Sequence, residues 1–240
     1  MQYEIKCAPF PVVVCKLEQG EAMTTESGAM AWMTPGIEMK TVGGSVGKAI
    51  GRLFSGESLF LNVYTAQQPG REIAFSSSFP GKIFPIEINP GNSFIVQKSG
   101  FLAATSGVEL SIAYKKKLSA SFFGGEGFIM QQIKGNGLVF LEIDGYCKEY
   151  DLAAGQSIVV DTGYLAAMSE SCTMDIQPVT GAKNIFFGGE GLFHTHITGP
   201  GKVYIQSMPV INTAMRLTPY LNMGSGDDDN GGGINIRLGG

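Results

Sequence analysis

Charged residues are scarce in this sequence. Asp, Glu, Lys and Arg make up 16% of its 240 residues, whereas soluble domains contain about 25%. The net charge is −4, which disfavours a protein that grips phosphate backbones with a dense basic surface, so we do not expect a nucleic acid as the main partner. The shortage of charge instead predicts extensive burial, including faces between the subunits of a homo-oligomer.

Cysteines and long apolar runs are scarce as well. Cys7, Cys15, Cys147 and Cys172 show no C-x-x-C spacing, and a chain of this size can be stable without disulfides. The first residues lack the basic and then apolar layout of a secretion signal, and no apolar run approaches the roughly 18 residues of a membrane-spanning helix. We therefore expect reduced thiols in a soluble, cytoplasmic protein without a membrane span.

Glycine is abundant, and it marks an internal repeat. The chain has 34 glycines, about twice the usual share. Three anchors recur in one order three times: a glycine pair, a Gly-Glu turn that follows aromatic or apolar residues, and a glycine before an alternating strand. Their members are Gly20 with Gly28, Gly91 with Gly100, and Gly155 with Gly163; then Glu57, Glu126 and Glu190; then Gly70, Gly137 and Gly201.

The segments between the anchors have the patterns of β-strands. Residues 37–40, 108–112 and 174–176 alternate between apolar and polar, which predicts strands with one buried face. Residues 128–130 are apolar in succession, which predicts a strand covered on both faces. The predicted fold class is all-β, with three tandem β repeats in one pseudo-threefold domain that resembles a β-sandwich or a β-helix.

The repeat pattern also sets the predicted domain organisation. After the repeats, apolar residues at a spacing of 3.6, followed by Pro219, predict one short C-terminal helix. The Asp-rich and Gly-rich end of the chain is predicted to be a flexible linker followed by a short alternating segment. The predicted bounds are 1–222 for a single all-β domain, with repeats at about 1–80, 81–144 and 145–208, the helix at 209–218, and the tail at 223–240.

Several of these motifs carry a family resemblance. The threefold Ser-Gly-x-φ-Ala-x pattern, the Phe-Phe-Gly-Gly-Glu-Gly turns and the Gly-x-Val-x-Ile-Gln-Ser stretch at residues 201–207 resemble a family of bacterial proteins related to the mitochondrial biogenesis protein named for altered inheritance of mitochondria. The resemblance covers about residues 1–222. It implies a fold similar to the tryptophan RNA-binding attenuation protein, with three β units about a pseudo-threefold axis. It brings no catalytic residue.

The repeated glutamates are interpreted as structural. A residue type that recurs in all three copies serves the shared fold, whereas function is expected where one copy departs from the others. We therefore interpret Glu57, Glu126 and Glu190 as turn or cap carboxylates that accept backbone N–H bonds, rather than as an acid–base pair.

The departure with the most chemical content is the stretch His194-Thr195-His196, which holds both histidines of the chain. Residues i and i+2 of a strand point to one face, so the two imidazoles could ligate a metal ion. Gly188 lies six residues before His194, as in the opening of the cupin pattern, but the cupin glutamate and the third histidine are missing. The repeat aligns His194 with Met130 and Leu61, so the alternative is a histidine pair on a buried face or at an interface.

Three other motifs are weaker. Residues 43–49 only superficially resemble a phosphate loop, because Val42 and Ala49 stand where that motif needs Gly and Ser or Thr. The run Lys115 to Lys117, the only basic run in the sequence, is predicted to be a solvated hairpin turn. Asp227 to Asp229 lack the alternation and the distal glutamate of a calcium loop.

The sequence therefore predicts no complete catalytic set and no cofactor. The leading hypothesis is a non-enzymatic, self-associating scaffold or binding protein. The first alternative is a cupin-like metal or small-molecule site at His194 and His196, and such a site could also be catalytic. The second alternative is nucleic-acid binding by analogy of fold, which is a weak basis for function.

Overall fold

The computed structural model describes residues 1–26, 28–43, 60–116, 127–179 and 193–221. For residues 219–221 it describes the backbone only. These residues form nineteen β-strands and one α-helix. The strands are β1 (Gln2–Lys6), β2 (Val12–Leu17), β3 (Ala22–Glu26), β4 (Met30–Met33), β5 (Ile37–Val42), β6 (Leu61–Ala66), β7 (Arg71–Ser76), β8 (Gly81–Ile88), β9 (Phe94–Gln97), β10 (Phe101–Thr105), β11 (Val108–Lys116), β12 (Phe128–Gly135), β13 (Gly137–Asp144), β14 (Cys147–Leu152), β15 (Ser157–Asp161), β16 (Leu165–Ser169), β17 (Thr173–Pro178), β18 (Phe193–Thr198) and β19 (Gly201–Gln206), and the helix is α1 (Val210–Leu221).

The described strands form four antiparallel sheets. Two of them have six strands, in the orders β5-β6-β3-β10-β13-β8 and β11-β12-β9-β16-β19-β14. The other two are smaller, with the orders β1-β2-β7-β4 and β15-β18-β17. Each large sheet is therefore two three-stranded halves from successive parts of the chain, joined where β3 pairs with β10 and where β9 pairs with β16.

The same strand order occurs three times along the chain. The triplets β2-β7-β4, β8-β13-β10 and β14-β19-β16 correspond to one another, as do β5-β6-β3, β11-β12-β9 and β17-β18-β15. The third strand of each triplet in the first set carries a register shift at the same place, between Met30 and Trp32, Phe101 and Ala103, and Leu165 and Ala167. A β-bulge inserts one extra residue against the partner strand. Its recurrence supports the three predicted repeats.

Three hydrophobic clusters lie between successive sheets. Each one draws buried side chains from two neighbouring sheets: Ile73 of β7 with Leu102 of β10, Val139 of β13 with Ala167 of β16, and Met130 of β12 with Ile197 of β18. Because the two large sheets contribute to a cluster on each face, their inner strands β10, β12, β13 and β16 are apolar at successive positions. Residues Phe128, Ile129 and Met130 are buried one after another, as the sequence predicts.

The first anchor glycine of each repeat adopts the backbone conformation that favours glycine. Gly20, Gly91 and Gly155 have φ of 85°, 104° and 78°, in the left-handed region that costs other residues energy. Each lies in the turn that joins two strands of one repeat, between β2 and β3, β8 and β9, or β14 and β15. The backbone conformation of these turns therefore favours glycine at the three positions.

The all-β prediction with one C-terminal helix is confirmed. The helix runs from Val210 to Leu221 and so continues past Pro219, where the sequence predicts its end. Among the described residues, no helix is both long and apolar enough to cross a membrane. The single-domain prediction and the repeat bounds remain predictions. The predictions for Glu57, Glu126, Glu190, most of residues 43–52, Lys117 and residues 223–240 concern positions outside the described residues.

Candidate functional site

Eight of the described strands lie at the edge of a sheet, and six of them carry two or more charged or proline residues. Five of these six strands are edges in more than one repeat: β5, β11 and β17 correspond to one another, and β8 and β14 correspond to each other. The sixth, β1, is an extra strand at the N-terminus that pairs with β2, the counterpart of β8 and β14. We call these six strands the habitual edges. Charge and proline on an edge strand oppose pairing with another chain. The residues concerned are Glu4 and Lys6 on β1; Glu38 and Lys40 on β5; Lys82, Pro85 and Glu87 on β8; Glu109, Lys115 and Lys116 on β11; Lys148, Glu149 and Asp151 on β14; Asp175 and Pro178 on β17.

The edges formed by β4 and β15 differ in composition. Strand β4 is Met-Ala-Trp-Met and carries no charge, and β15 is Ser-Ile-Val-Val-Asp with one carboxylate at its last position. Large apolar side chains on both strands are exposed: Trp32 by 45%, Met33 by 38% and Val159 by 53%. The two strands therefore present apolar side chains along an edge that pairs with no other described strand.

These two edges are edges in only one repeat each. The strands that correspond to β4 are β10 and β16, which pair on both sides and are almost completely buried. The strands that correspond to β15 are β3 and β9, which also pair on both sides. Among the described strands, β4 and β15 thus each have one edge without a partner strand, whereas their counterparts in the other repeats are paired on both edges. These two edges lie at the two ends of the repeat array. No local pattern in the sequence indicates this feature, because it depends on the order of strands in the sheets.

A second candidate site is a cavity of about 230 Å³ at the start of α1. Its apolar wall includes Ile129, Val210 and Ile211, and its polar lining includes Gln97, Asp144 and Gln206. The last three side chains are buried, with exposed fractions of 8%, 7% and 4%. Buried polar side chains are usually satisfied by hydrogen bonds.

The polar lining of the cavity is a connected set of hydrogen bonds. The Val210 backbone N–H donates to Asp144 Oδ2 over 2.8 Å, which gives the first turn of α1 a carboxylate partner. The Asp144 backbone N–H donates to Gln206 Oε1 over 3.1 Å, and Gln206 Nε2 donates to Gln97 Oε1 over 3.1 Å. The cavity therefore lies where strands of the second and third repeats meet the helix.

The Asp144 carboxyl is electrostatically unusual. Burial raises its pKa to about 6, the Val210 N–H opposes that rise, and the neighbouring Glu142 adds to it. Glu142 is itself buried and accepts hydrogen bonds from Ser77 and Ser78. A carboxyl with this pKa exchanges its proton near neutral pH, so the cavity can hold a neutral or a charged group there. No motif in the sequence singles out Asp144.

The two histidines lie on the central strand of the smallest sheet. His194 and His196 are half-buried on β18, whereas Thr195 between them is fully buried, so both imidazoles are on the face away from the core. Their cross-strand neighbours are Asp161 and Val159 on β15, and Gln177 and Asp175 on β17. The predicted shared face is therefore present, and it is an outward face rather than a buried one.

Among the described side chains, no group of three His, Cys, Asp or Glu residues is arranged to hold a metal ion. The two histidines would therefore need another ligand. The metal site at His194 and His196 remains a prediction.

Other candidate residues have ordinary structural environments. Lys115 and Lys116 lie on strand β11 rather than in a turn, and Lys116 Nζ donates to the Ile176 carbonyl over 2.8 Å. The four cysteines are unpaired, with Cys7 exposed and Cys15 and Cys172 buried. Burial raises the pKa of the Cys15 thiol to about 12, so it is not a nucleophile at neutral pH.

Comparisons with known proteins agree with the architecture. The family model for mitochondrial biogenesis AIM24 matches residues 3–208. No curated protein matches the sequence. A Streptococcus pyogenes protein solved by X-ray crystallography in a structural genomics programme is 24% identical, with a TM-score of 0.74, and the match covers 91% of this chain and 99% of that one. That likeness shows the fold alone, and a fold like that of the attenuation protein remains a prediction. Because the family model spans most of the sequence, the chain belongs to the mitochondrial biogenesis AIM24 family.

Proposed function

We propose that this protein is a non-enzymatic scaffold or binding protein that works by associating with copies of itself. The observation that carries the proposal is the contrast between edge strands. Strand β4 has no charged residue and exposes Trp32 and Met33, whereas the habitual edges carry charges or proline. Natural sheets protect the edges that must stay unpaired. Strand β4 lacks the charge and proline part of that protection, and we infer that a partner covers it.

Two energetic gains accompany association through these strands. Fully burying an exposed Val, Met or comparable side chain gains roughly 1.5–3 kcal/mol, and Trp32, Met33 and Val159, which are already about half covered, gain about half of that. Each backbone hydrogen bond formed across a new edge adds about 1 kcal/mol net. These gains are similar in size to the free-energy cost of lost rotational and translational freedom. Association at micromolar concentration therefore also needs other contacts between the copies.

Sedimentation velocity of the purified protein tests the proposal. Between about 1 and 100 μM, a range set by the micromolar affinity that corresponds to roughly −8 kcal/mol, we expect the sedimentation coefficient to rise with concentration or to be that of an oligomer throughout. A single monomeric species over the whole range would refute self-association. Added salt should not dissociate the assembly, because salt screens exposed charges but not apolar contacts.

The second candidate function is a cupin-like metal or small-molecule site at His194 and His196. The observation that favours it is that Asp161 and Asp175 are cross-strand neighbours of these histidines on one outward face. Imidazole and carboxylate are the ligand types of zinc and related ions. A small bound molecule or a second copy of the chain would have to complete the coordination.

Metal analysis of the purified protein distinguishes this candidate from the first one. We expect a stoichiometric transition metal that is lost in the double variant His194→Ala/His196→Ala and retained in Gln177→Ala, the control on the same face. No metal, or equal metal in all three proteins, would refute the site. We do not advance nucleic-acid binding, because Lys116, one of the two described lysines in the basic run, already binds a backbone carbonyl.

A further inference from the structure

We propose that the self-association occurs by antiparallel pairing of β4 of one copy with β15 of a second copy. The proposal rests on the proposed function and adds its interface. In a single copy, these two strands end different sheets. They correspond to the two sides of a junction that the chain already forms twice, between β10 and β3 and between β16 and β9. A second copy is therefore the occupant that the fold itself specifies.

The two existing junctions predict the register of the new one. In the second junction, Met168 lies opposite Ile95 and Ser169 lies opposite Phe94. In the first junction, Ala104 lies opposite Thr24 and Thr105 lies opposite Met23. The register is therefore the same in both, as judged from the shared bulge.

The same register between copies places Met33 opposite Val159 and Thr34 opposite Ile158. The pairings within each repeat fix this correspondence, because Met33, Ala104 and Met168 all follow the bulge by one residue. Val159, Ile95 and Thr24 all lie opposite the same position of the neighbouring strand, at His196, Gln132 and Val63. Met33 and Val159 are also exposed in the single copy. The pairing would therefore bury two apolar side chains against each other.

The bulge in β4 does not prevent this pairing. A bulge and a short strand are two of the devices that protect sheet edges. However, β10 and β16 carry the same bulge, and both pair on their far side with β3 and β9. In this fold the bulge is compatible with a strand on each side.

The contact joins two different surfaces, so the assembly is head-to-tail. Such an interface is heterologous: each copy offers one β4 edge and one β15 edge, and the copies form a ring if the rotation closes or a chain if it does not. A two-fold dimer would instead pair like with like. This difference makes the proposal testable with single-edge variants.

Single charges on each edge provide the first test. Met33→Lys places a charge on β4 and Val159→Lys places one on β15, and Tyr146→Lys changes a 67% exposed side chain outside both edges. All three sites are exposed, so circular dichroism and melting temperature should stay close to those of the unaltered protein. In sedimentation velocity we expect both edge variants to associate about tenfold or more weakly, because an edge lysine opposes strand pairing, and Tyr146→Lys to associate normally.

Mixing the two edge variants provides the second test. Met33→Lys retains an intact β15 edge and Val159→Lys retains an intact β4 edge, so an equimolar mixture should form a dimer that grows no further. A two-fold pairing of β4 with β4 predicts instead that Val159→Lys still dimerises alone and that the mixture gains nothing. That result would overturn the proposal. The mixture also shows that the variants are folded, since only folded edges can pair.

A charge pair tests the register. In one chain, Met33→Lys combined with Val159→Glu places opposite charges across the predicted contact, and cross-strand pairs of opposite charge are favourable. We expect this double variant to recover self-association relative to Met33→Lys/Val159→Lys. Equal association of the two double variants would refute the register.

These measurements separate the proposal from the function on which it rests. If the unaltered protein is monomeric, self-association itself is refuted. If it associates and both edge variants associate equally well, the scaffold function stands and the β4–β15 interface is wrong.

Discussion

Asp144 shows how a single residue can acquire its properties from the fold. Its carboxyl is buried at the end of β13, accepts the Val210 N–H and lies beside Glu142. The sequence around it, Ile143-Asp144-Gly145, is typical of a strand that ends in a turn. Only the packing of α1 over that turn removes the carboxyl from water, and burial is the main cause of its raised pKa. The cavity was therefore not predictable from the sequence.

Asp144→Asn should change the pH dependence of stability. The pKa of Asp144 is about 6 in the folded protein and about 3.9 in an unfolded chain. Below pH 4 the carboxyl is protonated in both states and has no effect, whereas above pH 6 it is ionised and destabilises the fold. The amide can still accept the Val210 N–H. We expect the variant to be more stable at pH 7.5, by at most about 3 kcal/mol.

Urea unfolding between pH 4 and pH 7.5 measures this effect. The gain in unfolding free energy should shrink towards zero as the pH falls to 4. Asp151→Asn, at an exposed position on β14, controls for the loss of one negative charge. A gain that is the same at every pH would show that Asp144 acts through something other than its ionisation.

The histidine pair was predictable at the residue scale to a limited extent. The i, i+2 spacing correctly predicted that His194 and His196 share a face of a strand. The repeat alignment with Met130 and Leu61 suggested a buried face or an interface. The structure places the two histidines on an outward face of the single copy, and the interface remains a prediction. The histidines face outward because β18 lies in the three-stranded sheet, which among the described residues packs against another sheet on one face only. Strands β6 and β12 lie in the large sheets, which pack against another sheet on both faces.

At the scale of the element, the anchor glycines are not all equivalent. Gly155 has φ of 78° with open space around the position of a Cβ atom, so its requirement is purely conformational. Gly163, its partner in the sequence pattern, lies in a short 3-10 turn before β16, and a Cβ there would make only ordinary contact with Asn212. The sequence marks both as one anchor pair of the repeat, and only the backbone conformation separates them.

Gly155→Ala should therefore destabilise the protein by about 1–2 kcal/mol, because its left-handed backbone crowds a Cβ against the following carbonyl. Gly163→Ala is the matched control in the same repeat and should change stability by less than about 0.5 kcal/mol, as for ordinary substitutions. Thermal unfolding of the two variants side by side measures the difference. Equal losses would show that the turn between β14 and β15 tolerates a side chain.

The start of helix α1 was predictable from the sequence, and its end was not. The spacing of apolar residues predicted a helix beginning near Pro209, which is correct to one residue. Proline removes an N–H from the helical hydrogen bonds and usually ends a helix. Here Pro219 lies within the last turn of α1, where the bond that its missing N–H would have donated to the Met215 carbonyl is lost and only two residues of helix follow it.

At the scale of the whole molecule, the repeat array has two open ends. The two large sheets each join halves from successive repeats, and the two small sheets are the unmatched halves. Scarce charge in the composition predicted burial between subunits. The proposed contact between β4 and β15 would bury apolar side chains at the two ends of the repeat array. Charge on the habitual edges and its scarcity on β4 and β15 are consistent with the same interpretation.

Hydrogen exchange of the unaltered protein should report the open ends directly. Backbone amides exchange slowly where they are hydrogen-bonded in stable, buried sheets. We expect β10 and β16 to be protected at every concentration. The amides of β4 and β15 that face away from β7 and β18 should become protected only when the protein is concentrated enough to associate. Association with no change in the protection of β4 would place the interface elsewhere.

The sequence by itself determined the elements of this protein. Alternation of apolar and polar residues, recurring glycines and one run of helical spacing are local properties, and local sterics and burial act on them directly. They specified an all-β chain with a C-terminal helix, and they supported its assignment to a family. The tertiary structure alone decided which strands lie at an edge, which carboxyl leaves water and which face the histidines occupy. Those properties depend on pairings between residues far apart in the chain, and no local pattern encodes them.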